Sequence, residues 1–223
     1  MTLFTGIIIQ PRVDGDTAAV EALRGLPTSV IGDVMGGRLV GTTALRPINR
    51  SPVSTCGNAL TVRVRAGDNL LIHKALDMLE PGDVLVVDGE GDTSRALVGE
   101  IMMTSARVRR AVAFVMDGAI RDADAFEQHQ FPCWARGISL RGPYKEGPGS
   151  INVPVTIGGM LVNPGDIIVG DGDGIIAVPR AVAAEVARLA QAKVAHEQET
   201  IAAILGGTYS SAWVDAAISQ KDK

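Results

Sequence analysis

Hydrophobic residues are most regularly spaced in the middle of the chain. Two short apolar runs, Val84–Val87 and Ala111–Met116, flank a segment of helical spacing from about Ser94 to Val108. Each run leads into an Asp-Gly pair, which is typical of a turn after a strand. A strand, a glycine-bearing loop, a helix and a second strand together predict a βαβ unit.

The rest of the chain predicts short elements around this unit. Alternation over Ala59–Arg65 predicts a strand with one solvent-facing side. Residues 151–178 predict a small antiparallel or mixed sheet of short strands, and an Ala-rich helix follows from about Pro179 to Leu205. Further helices are predicted at 14–25, Thr28–Met35, Asn69–Leu79 and Ala123–His129. We expect one α/β domain over residues 1–223, since there is no repeat or low-complexity linker.

Composition limits the class of protein. Hydrophobic residues make up 46% of the 223 and aromatics only 4%, so the core is expected to be aliphatic. The net charge of −4 argues against general nucleic-acid binding, and no apolar run approaches the length of a membrane span. Cys56 and Cys133 are isolated, without the spacing of a zinc site. With no signal peptide visible, we expect a cytoplasmic protein with reduced thiols.

Charged residues gather after the strands of the predicted βαβ unit, where ligands of open α/β sheets bind. Glu90, Asp92 and Arg95 follow the first strand, and Arg121-Asp122 follows the second. Arginine binds a carboxylate in bidentate fashion, and aspartate is a hard ligand suited to Mg²⁺ or Mn²⁺. The pattern therefore suggests a site for an acidic substrate and a metal. A surface ion pair, with Asp122 capping the next helix, explains the same pair of residues equally well.

Glu100 lies within the predicted helix, on one face with Leu97, Ile101 and Thr104. This pattern favours a carboxylate at the edge of the helix, and the alternative is a carboxylate that holds metal-bound water. Gly99 would allow a ligand or another backbone to approach closely.

Two further motifs have structural explanations that we favour. His73-Lys74 could supply a proton donor or a Schiff-base amine, but the polar edge of a surface helix is the preferred interpretation. Asp171–Gly174 (DGDG) lacks the rest of a calcium loop and predicts a hairpin turn.

Three segments carry a resemblance to a known family. They are PGDVLVVDG, the run GEIMMTSARVRRAVAFVMDGAIRD and GNALTV at Gly57–Val62. The chain resembles the RraA-like superfamily over about residues 28–205, and within it the metal-dependent class II pyruvate aldolases. Those 4-hydroxy-4-methyl-2-oxoglutarate aldolases also decarboxylate oxaloacetate. The resemblance implies a compact fold related to swivelling β/β/α domains, assembled as a homotrimer or homohexamer.

The resemblance also implies roles for individual residues. Arg121 would grip the pyruvyl carboxylate, Asp122 would bind the metal directly, and Glu100 would hold metal-bound water. The metal would be Mg²⁺ or Mn²⁺. A further acid, Glu197 or Glu199, would reach the metal shell through water from a neighbouring subunit. The implied substrate-binding set is Gly99, Glu100, Ile101, Met102 and Arg121.

The expected activity is therefore cleavage of a 2-oxo acid to pyruvate, by retro-aldol reaction or loss of CO₂, through an enolate. The rival from another class is a non-catalytic regulator of ribonuclease E on the same scaffold. Those regulators lack the acid after the arginine, so Asp122 favours the enzyme. A Schiff-base aldolase using Lys74 is a third, weaker alternative. The loops 38–50 and 141–150 are expected to select the substrate.

Overall fold

The computed structural model describes residues 6–36 and 44–221. The helices of this part of the chain are α1 (Thr17–Leu23), α2 (Thr28–Val34), α3 (Leu70–Met78), α4 (Glu100–Val108), α5 (Ala123–Gln128), α6 (Ala183–Leu205) and α7 (Ala212–Lys221), with a 3₁₀ turn at Arg180–Val182. No helix within these residues is both long enough and apolar enough to cross a membrane.

The strands are mostly short. They are β1 (Ile7–Ile9), β2 (Arg46–Pro47), β3 (Thr55–Val64), β4 (Asp83–Asp88), β5 (Ala96–Val98), β6 (Ala113–Ile120), β7 (Cys133–Ile138), β8 (Gly149–Ile151), β9 (Val155–Ile157), β10 (Met160–Val162), β11 (Ile167–Gly170) and β12 (Ile175–Val178).

One mixed sheet organises the molecule, with the strand order β1-β8-β3-β4-β6-β7-β2. Its centre is parallel, because β3, β4, β6 and β7 run side by side in one direction. The short strand β5 adds to the carboxyl end of β6, where Ala96 pairs with Ala119. The β11–β12 hairpin joins through β11, which is antiparallel to the first half of β3. The ends of β5 and β6 therefore lie side by side.

Side chains that are mostly aliphatic fill both faces of the sheet, as the composition predicts. One face packs against α3, α4 and α5 through residues such as Leu85, Val87 and Phe114. The other face, which includes Val84 and Val86, packs against the β9–β10 and β11–β12 hairpins. Alternate residues of β4 thus enter different cores, which is why the run Val84–Val87 is apolar throughout.

A third core lies outside the β11–β12 hairpin. The helices α1, α2 and the first half of α6 pack there around Val169, Ile176 and Val178. The central βαβ unit, the DGDG hairpin turn and the long helix ending at Leu205 agree with the sequence prediction. Helix α7 was not predicted.

Two predictions about local structure are wrong. The helix expected from Ser94 begins only at Glu100, because Ala96–Val98 pairs with β6 and is buried as a strand. Leu97 therefore does not share a helix face with Glu100. Strand β3 does not have one wet side either, because helices cover one face and hairpins the other. Part of the loop 38–50 lies outside the described residues.

Candidate active site

A cleft of about 130 Å³ opens where β5 and β6 end. A cavity of about 150 Å³ holds a molecule of the size of benzene, so this cleft suits a small ligand. Four segments form its walls: the start of α3, the β5–α4 junction, the two residues after β6, and the loop before β8. The lining residues are Asn69, His73, Ala96, Leu97, Val98, Gly99, Ile101, Met102, Arg121, Asp122, Pro143 and Lys145.

Arg121 supplies a cation whose guanidinium donors are available for hydrogen bonds. Strand β6 ends at Ile120, and the Arg121 N–H donates to the carbonyl of Val98 at 3.0 Å, which fixes the backbone beside β5. The Arg121 side chain is 45% exposed, and its Nε lies 3.7 Å from Asp122 Oδ2. Its guanidinium makes no hydrogen bond to the residues that the structure describes, so its donors are available to a ligand.

Asp122 directs its carboxylate away from the helix that it precedes. Its backbone is left-handed, with φ of 57°, and its side chain makes no capping bond to α5. The Oδ2 atom instead accepts a hydrogen bond from the Glu100 N–H at 3.1 Å, at the start of α4. Of the two features in the alternative interpretation, the ion pair is present, but side-chain capping of the following helix is not.

Gly99 lets these groups come together. A Cβ atom at this position would lie 2.5 Å from Asp122 Oδ2 and 3.0 Å from Arg121 Cγ. Since even alanine would clash, the close approach that the sequence suggested for Gly99 is made by these two side chains. The next residues open helix α4, where the N–H groups of Ile101 and Met102 have no intrahelical acceptor. An anion in the cleft could accept from them.

The opposite wall adds two basic side chains. His73 of α3 and Lys145 of the loop before β8 both line the cleft. Burial lowers the pKa of His73, the Lys145 charge lowers it further, and Asp77 opposes the shift. A neutral imidazole beside the Lys145 cation is therefore the favoured state at neutral pH. The exposed helix edge that we predicted for His73 is real, and that edge borders the cleft.

A buried carboxylate holds the loop that carries Lys145. Asp68 is fully buried and accepts hydrogen bonds from the N–H groups of Leu70, Glu146 and Gly147 at 2.9, 2.7 and 3.0 Å. It ties this loop to the start of α3. Pro143 and Lys145 of this loop line the cleft, and a part for residues 141–150 in substrate selection stays a prediction.

Arg95 supports the same loop rather than the cleft. It donates to the Gly142 carbonyl at 2.7 Å and stacks on the Tyr144 ring at 4.0 Å. The cleft lining also excludes Glu90, Asp92 and Lys74. The expectation that Glu90, Asp92 and Arg95 share a site with Arg121 is therefore wrong. The loop after β4 leads into β5, and of these two segments only β5 lines the cleft.

The predicted acids other than Asp122 lie outside the cleft lining. The Glu100 side chain is exposed, and only its N–H is tied to the site, through Asp122. Glu197 and Glu199 lie on the exposed second half of α6, where Glu197 is 3.4 Å from Lys193 and Glu199 is 3.9 Å from His196. Neither glutamate belongs to the cleft of its own chain.

The donor chemistry fits a hard cation better than zinc. Within residues 6–36 and 44–221, no group of three or more His, Cys, Asp or Glu side chains could hold a metal. Mg²⁺ needs only one or two carboxylates and retains several waters. Asp122 is 44% exposed and borders the cleft, so its carboxylate is available to an ion held largely by water.

Sequence reasoning missed Asn69, Lys145 and the structural role of Asp68. Lys145 lies in a glycine- and proline-rich loop that was flagged only for substrate selection. In the sequence, Asn69 indicated only the start of a helix and suggested no chemical role. The cleft combines residues that are far apart in sequence, so sequence motifs indicated only the parts at Arg121-Asp122, Gly99–Met102 and His73.

Comparison with known proteins shows the family to which this chain belongs. The family model described as "RraA-like: Aldolase/RraA" matches residues 28–177. The chain belongs to the Aldolase/RraA family. It is 38% identical over 179 residues to a protein of Halalkalibacterium halodurans named "Putative 4-hydroxy-4-methyl-2-oxoglutarate aldolase". That alignment covers 80% of this chain and 85% of the relative.

Solved structures are similar to this chain in fold. An uncharacterized protein from Pseudomonas syringae superimposes with a TM-score of 0.77 at 25% identity, covering 88% of this chain and 96% of the other. The RNA-processing inhibitor RraA from Thermus thermophilis gives a TM-score of 0.61 at 27% identity, covering 69% and 92%. The mixed sheet with a long C-terminal helix therefore agrees with the RraA-like fold that the resemblance implied.

Proposed function

We propose that this protein is a divalent-metal-dependent carbon–carbon lyase that releases pyruvate from 2-oxo acids. The substrates would be 4-hydroxy-4-methyl-2-oxoglutarate-like acids and oxaloacetate. The observation that supports this most is the meeting of Arg121, Asp122 and the first turn of α4 at one small cleft. The similarity to a protein named as an aldolase supports the same class of reaction.

The cleft offers two kinds of donor for a 2-oxo carboxylate. Arg121 has an unused planar guanidinium, which suits bidentate binding. The N–H groups of Ile101 and Met102 at the positive end of α4 add hydrogen bonds of fixed direction. Together they would orient the substrate so that the bond between C3 and C4 stands perpendicular to the plane of the C2 carbonyl, where its electrons can form the enolate of pyruvate.

Asp122 would hold the metal ion directly, and Glu100 would hold it through water. A bound divalent cation supplies Lewis-acid stabilisation for the negative charge that develops on the keto oxygen. The Glu100 carboxylate would also keep a water in position to return a proton to C3 of the product. The hydrogen bond from the Glu100 N–H to Asp122 would hold the Asp122 carboxylate at a fixed position relative to the start of α4.

Metal dependence is tested first by turnover of oxaloacetate with and without EDTA. We expect EDTA to abolish pyruvate release and Mg²⁺ or Mn²⁺ to restore it. Asp122→Asn should remove most of the activity and leave the thermal unfolding midpoint nearly unchanged. The matched control is Asp124→Asn, which removes an exposed carboxylate of α5 paired with Arg50. Full activity in EDTA, with borohydride trapping of a lysine, would instead support a Schiff-base mechanism.

The role of Arg121 is tested by Arg121→Lys. Because one ammonium group cannot reproduce the guanidinium fork, we expect a loss of about 2–4 kcal/mol in transition-state binding. The lower limit corresponds to about thirtyfold in kcat/KM for oxaloacetate. Arg107→Lys, on the exposed face of α4, is the control. A change below threefold in Arg121→Lys would contradict the proposed carboxylate clamp.

Regulation of RNA processing is the second candidate. The observation in its favour is the structural similarity to the RraA inhibitor from Thermus thermophilis. A chain that releases no pyruvate from either substrate at any Mg²⁺ or Mn²⁺ concentration, but inhibits ribonuclease E, would support this candidate over the lyase.

We propose further that a neighbouring subunit completes the site. Helix α6 has 23 residues, yet its buried residues, Ala183, Val186, Ala187 and Ala190, all lie in its first eight positions. Beyond them, Ile201, Ile204 and Leu205 are 53–84% exposed. These apolar side chains suit packing against another copy of the chain, which would bring Glu197 or Glu199 towards a neighbouring cleft. A closed homotrimer, or a homohexamer built from two of them, would repeat this contact.

Mixing two inactive variants tests this arrangement. Asp122→Asn and Glu197→Gln should recover activity after subunit exchange, because some clefts then receive a wild-type residue from each chain. The parallel experiment with Glu199→Gln distinguishes the two glutamates. Glu185→Gln, at the other end of α6 and paired with Arg188, should stay active alone. An active monomer in light scattering, or no recovery in verified mixed oligomers, would contradict the shared site.

A further inference from the structure

The cleft lining holds more basic than acidic side chains. Its basic residues are Arg121, His73 and Lys145, and its one acid within the described residues is Asp122. His73 and Lys145 make no hydrogen bond or salt bridge to the part of the chain that the structure describes. The Lys145 charge lowers the pKa of His73, so these two groups lie close enough to influence each other. They form a basic pair on the wall made by α3 and the loop before β8.

The acids closest in sequence to the basic pair lie outside the cleft lining. Glu146 Oε2 is 3.3 Å from Arg65 Nη2, and Asp77 Oδ1 is 2.7 Å from Arg109 Nη2. Asp68 is buried and accepts from backbone N–H groups instead. None of these three carboxylates contributes to the lining of the cleft. The basic pair is therefore open to an anion that enters the cleft.

The backbone on both sides of Lys145 is bound to the start of α3. The Asn69 N–H donates to the Tyr144 carbonyl at 3.0 Å, and the Glu146 N–H donates to Asp68 Oδ2 at 2.7 Å. These bonds fix the position of the Lys145 backbone beside the helix that carries the other basic residue. The Lys145 side chain itself is exposed. Its ammonium group can therefore reach a ligand at the edge of the cleft without leaving water completely.

We propose that Lys145 and His73 bind the second carboxylate of the substrate, so that the cleft prefers dicarboxylic 2-oxo acids. This rests on the lyase function proposed above. With the C1 carboxylate of 4-hydroxy-4-methyl-2-oxoglutarate at Arg121, its C5 carboxylate extends towards the basic pair. That group keeps its charge during the retro-aldol reaction, because it becomes the carboxylate of the second pyruvate. Lys145 supplies a positive charge and His73 a neutral N–H donor, and neither takes a proton from the substrate.

The test compares two ligands that a retro-aldol reaction cannot cleave. 2-Oxoglutarate is the proposed substrate without its C4 hydroxyl and methyl groups, and 2-oxopentanoate has a methyl group in place of the C5 carboxylate. Calorimetric titration in the presence of Mg²⁺ gives both dissociation constants, and their ratio measures the preference for a second carboxylate. We expect wild type to bind 2-oxoglutarate about tenfold more tightly, and Lys145→Met to reduce this preference to about threefold or less.

Matched variants separate the basic pair from general electrostatic attraction. Lys74→Met removes an equal charge from the residue next to His73, but Lys74 lies outside the cleft lining, so the preference should not change. Lys145→Arg keeps the charge and should keep most of the preference. Arg121→Lys should weaken both ligands alike, because both carry the C1 carboxylate, and should leave the ratio unchanged.

A preference that survives Lys145→Met, or that falls equally in Lys74→Met, would overturn the proposed role of the basic pair and leave the lyase proposal intact. Equal binding of the two ligands by wild type would do the same. A protein that shows the expected preference but releases no pyruvate would retain the carboxylate site and overturn the lyase proposal.

Discussion

Replacing Gly99 by alanine tests whether the cleft depends on the close approach of the Arg121 and Asp122 side chains to Gly99. The φ of Gly99 is −154°, an extended value that any residue adopts, so the substitution adds no backbone strain. Its Cβ would lie 2.5 Å from Asp122 Oδ2, against about 3.4 Å for an ordinary contact. The carboxylate must therefore retreat by roughly 0.9 Å, a displacement of the size that costs about 100-fold in catalysis.

The expected result is a large loss of activity with a small loss of stability. Overpacking costs about 1–3 kcal/mol, and the low end applies because the Arg121 and Asp122 side chains are half-exposed and can move. We expect kcat/KM for oxaloacetate to fall about 100-fold, while the unfolding midpoint in urea shifts only slightly. Gly137→Ala is the control, since its Cβ would find only Thr93 Cγ2, at 3.8 Å. Wild-type kcat/KM in Gly99→Ala would refute the reasoning.

Three further changes probe the surroundings of the cleft. Asp68→Ala leaves three backbone N–H groups without their acceptor, so we expect a loss of about 2–4 kcal/mol in urea unfolding and faster proteolysis of the loop after Arg141. Lys145→Met removes one cause of the lowered His73 pKa, so NMR titration should show that pKa rising but still below its ordinary value, because burial persists. Burial raises the pKa of Cys56 to about 11 and that of Cys133 further, so both thiols should react with a thiol reagent at pH 8 only after unfolding.

Helices and strands were predictable from the sequence where a local pattern was enough to determine them. The apolar run Val84–Val87 and the helix stop after Leu205 needed no tertiary information. The strand Ala96–Val98 was not predictable, because its residues fit a helix as well as a strand, and only pairing with the end of β6 decides between them. Local propensity is weak enough for such pairing to override it.

The candidate site was predictable only in its sequence-adjacent part. Arg121 and Asp122 are neighbours after a strand, and Gly99 precedes the helix that meets them. Asn69 reaches the same cleft through a side chain that forgoes its usual capping bond, and Lys145 through a loop held by a buried carboxylate. Such arrangements depend on tertiary contacts, which sequence spacing does not encode.

The length of α6 has a consequence for measuring assembly. The buried residues of α6 end at Ala190, and about 22 Å of helix follows, at roughly 1.5 Å for each residue from Gln191 to Leu205. A helical segment of this size is marginal in water without packing. Backbone amides from about Gln191 to Leu205 should therefore exchange their hydrogens rapidly in an isolated chain and slowly once another subunit covers them. Deuterium uptake in residues 191–205 would therefore report subunit association even when no substrate is present.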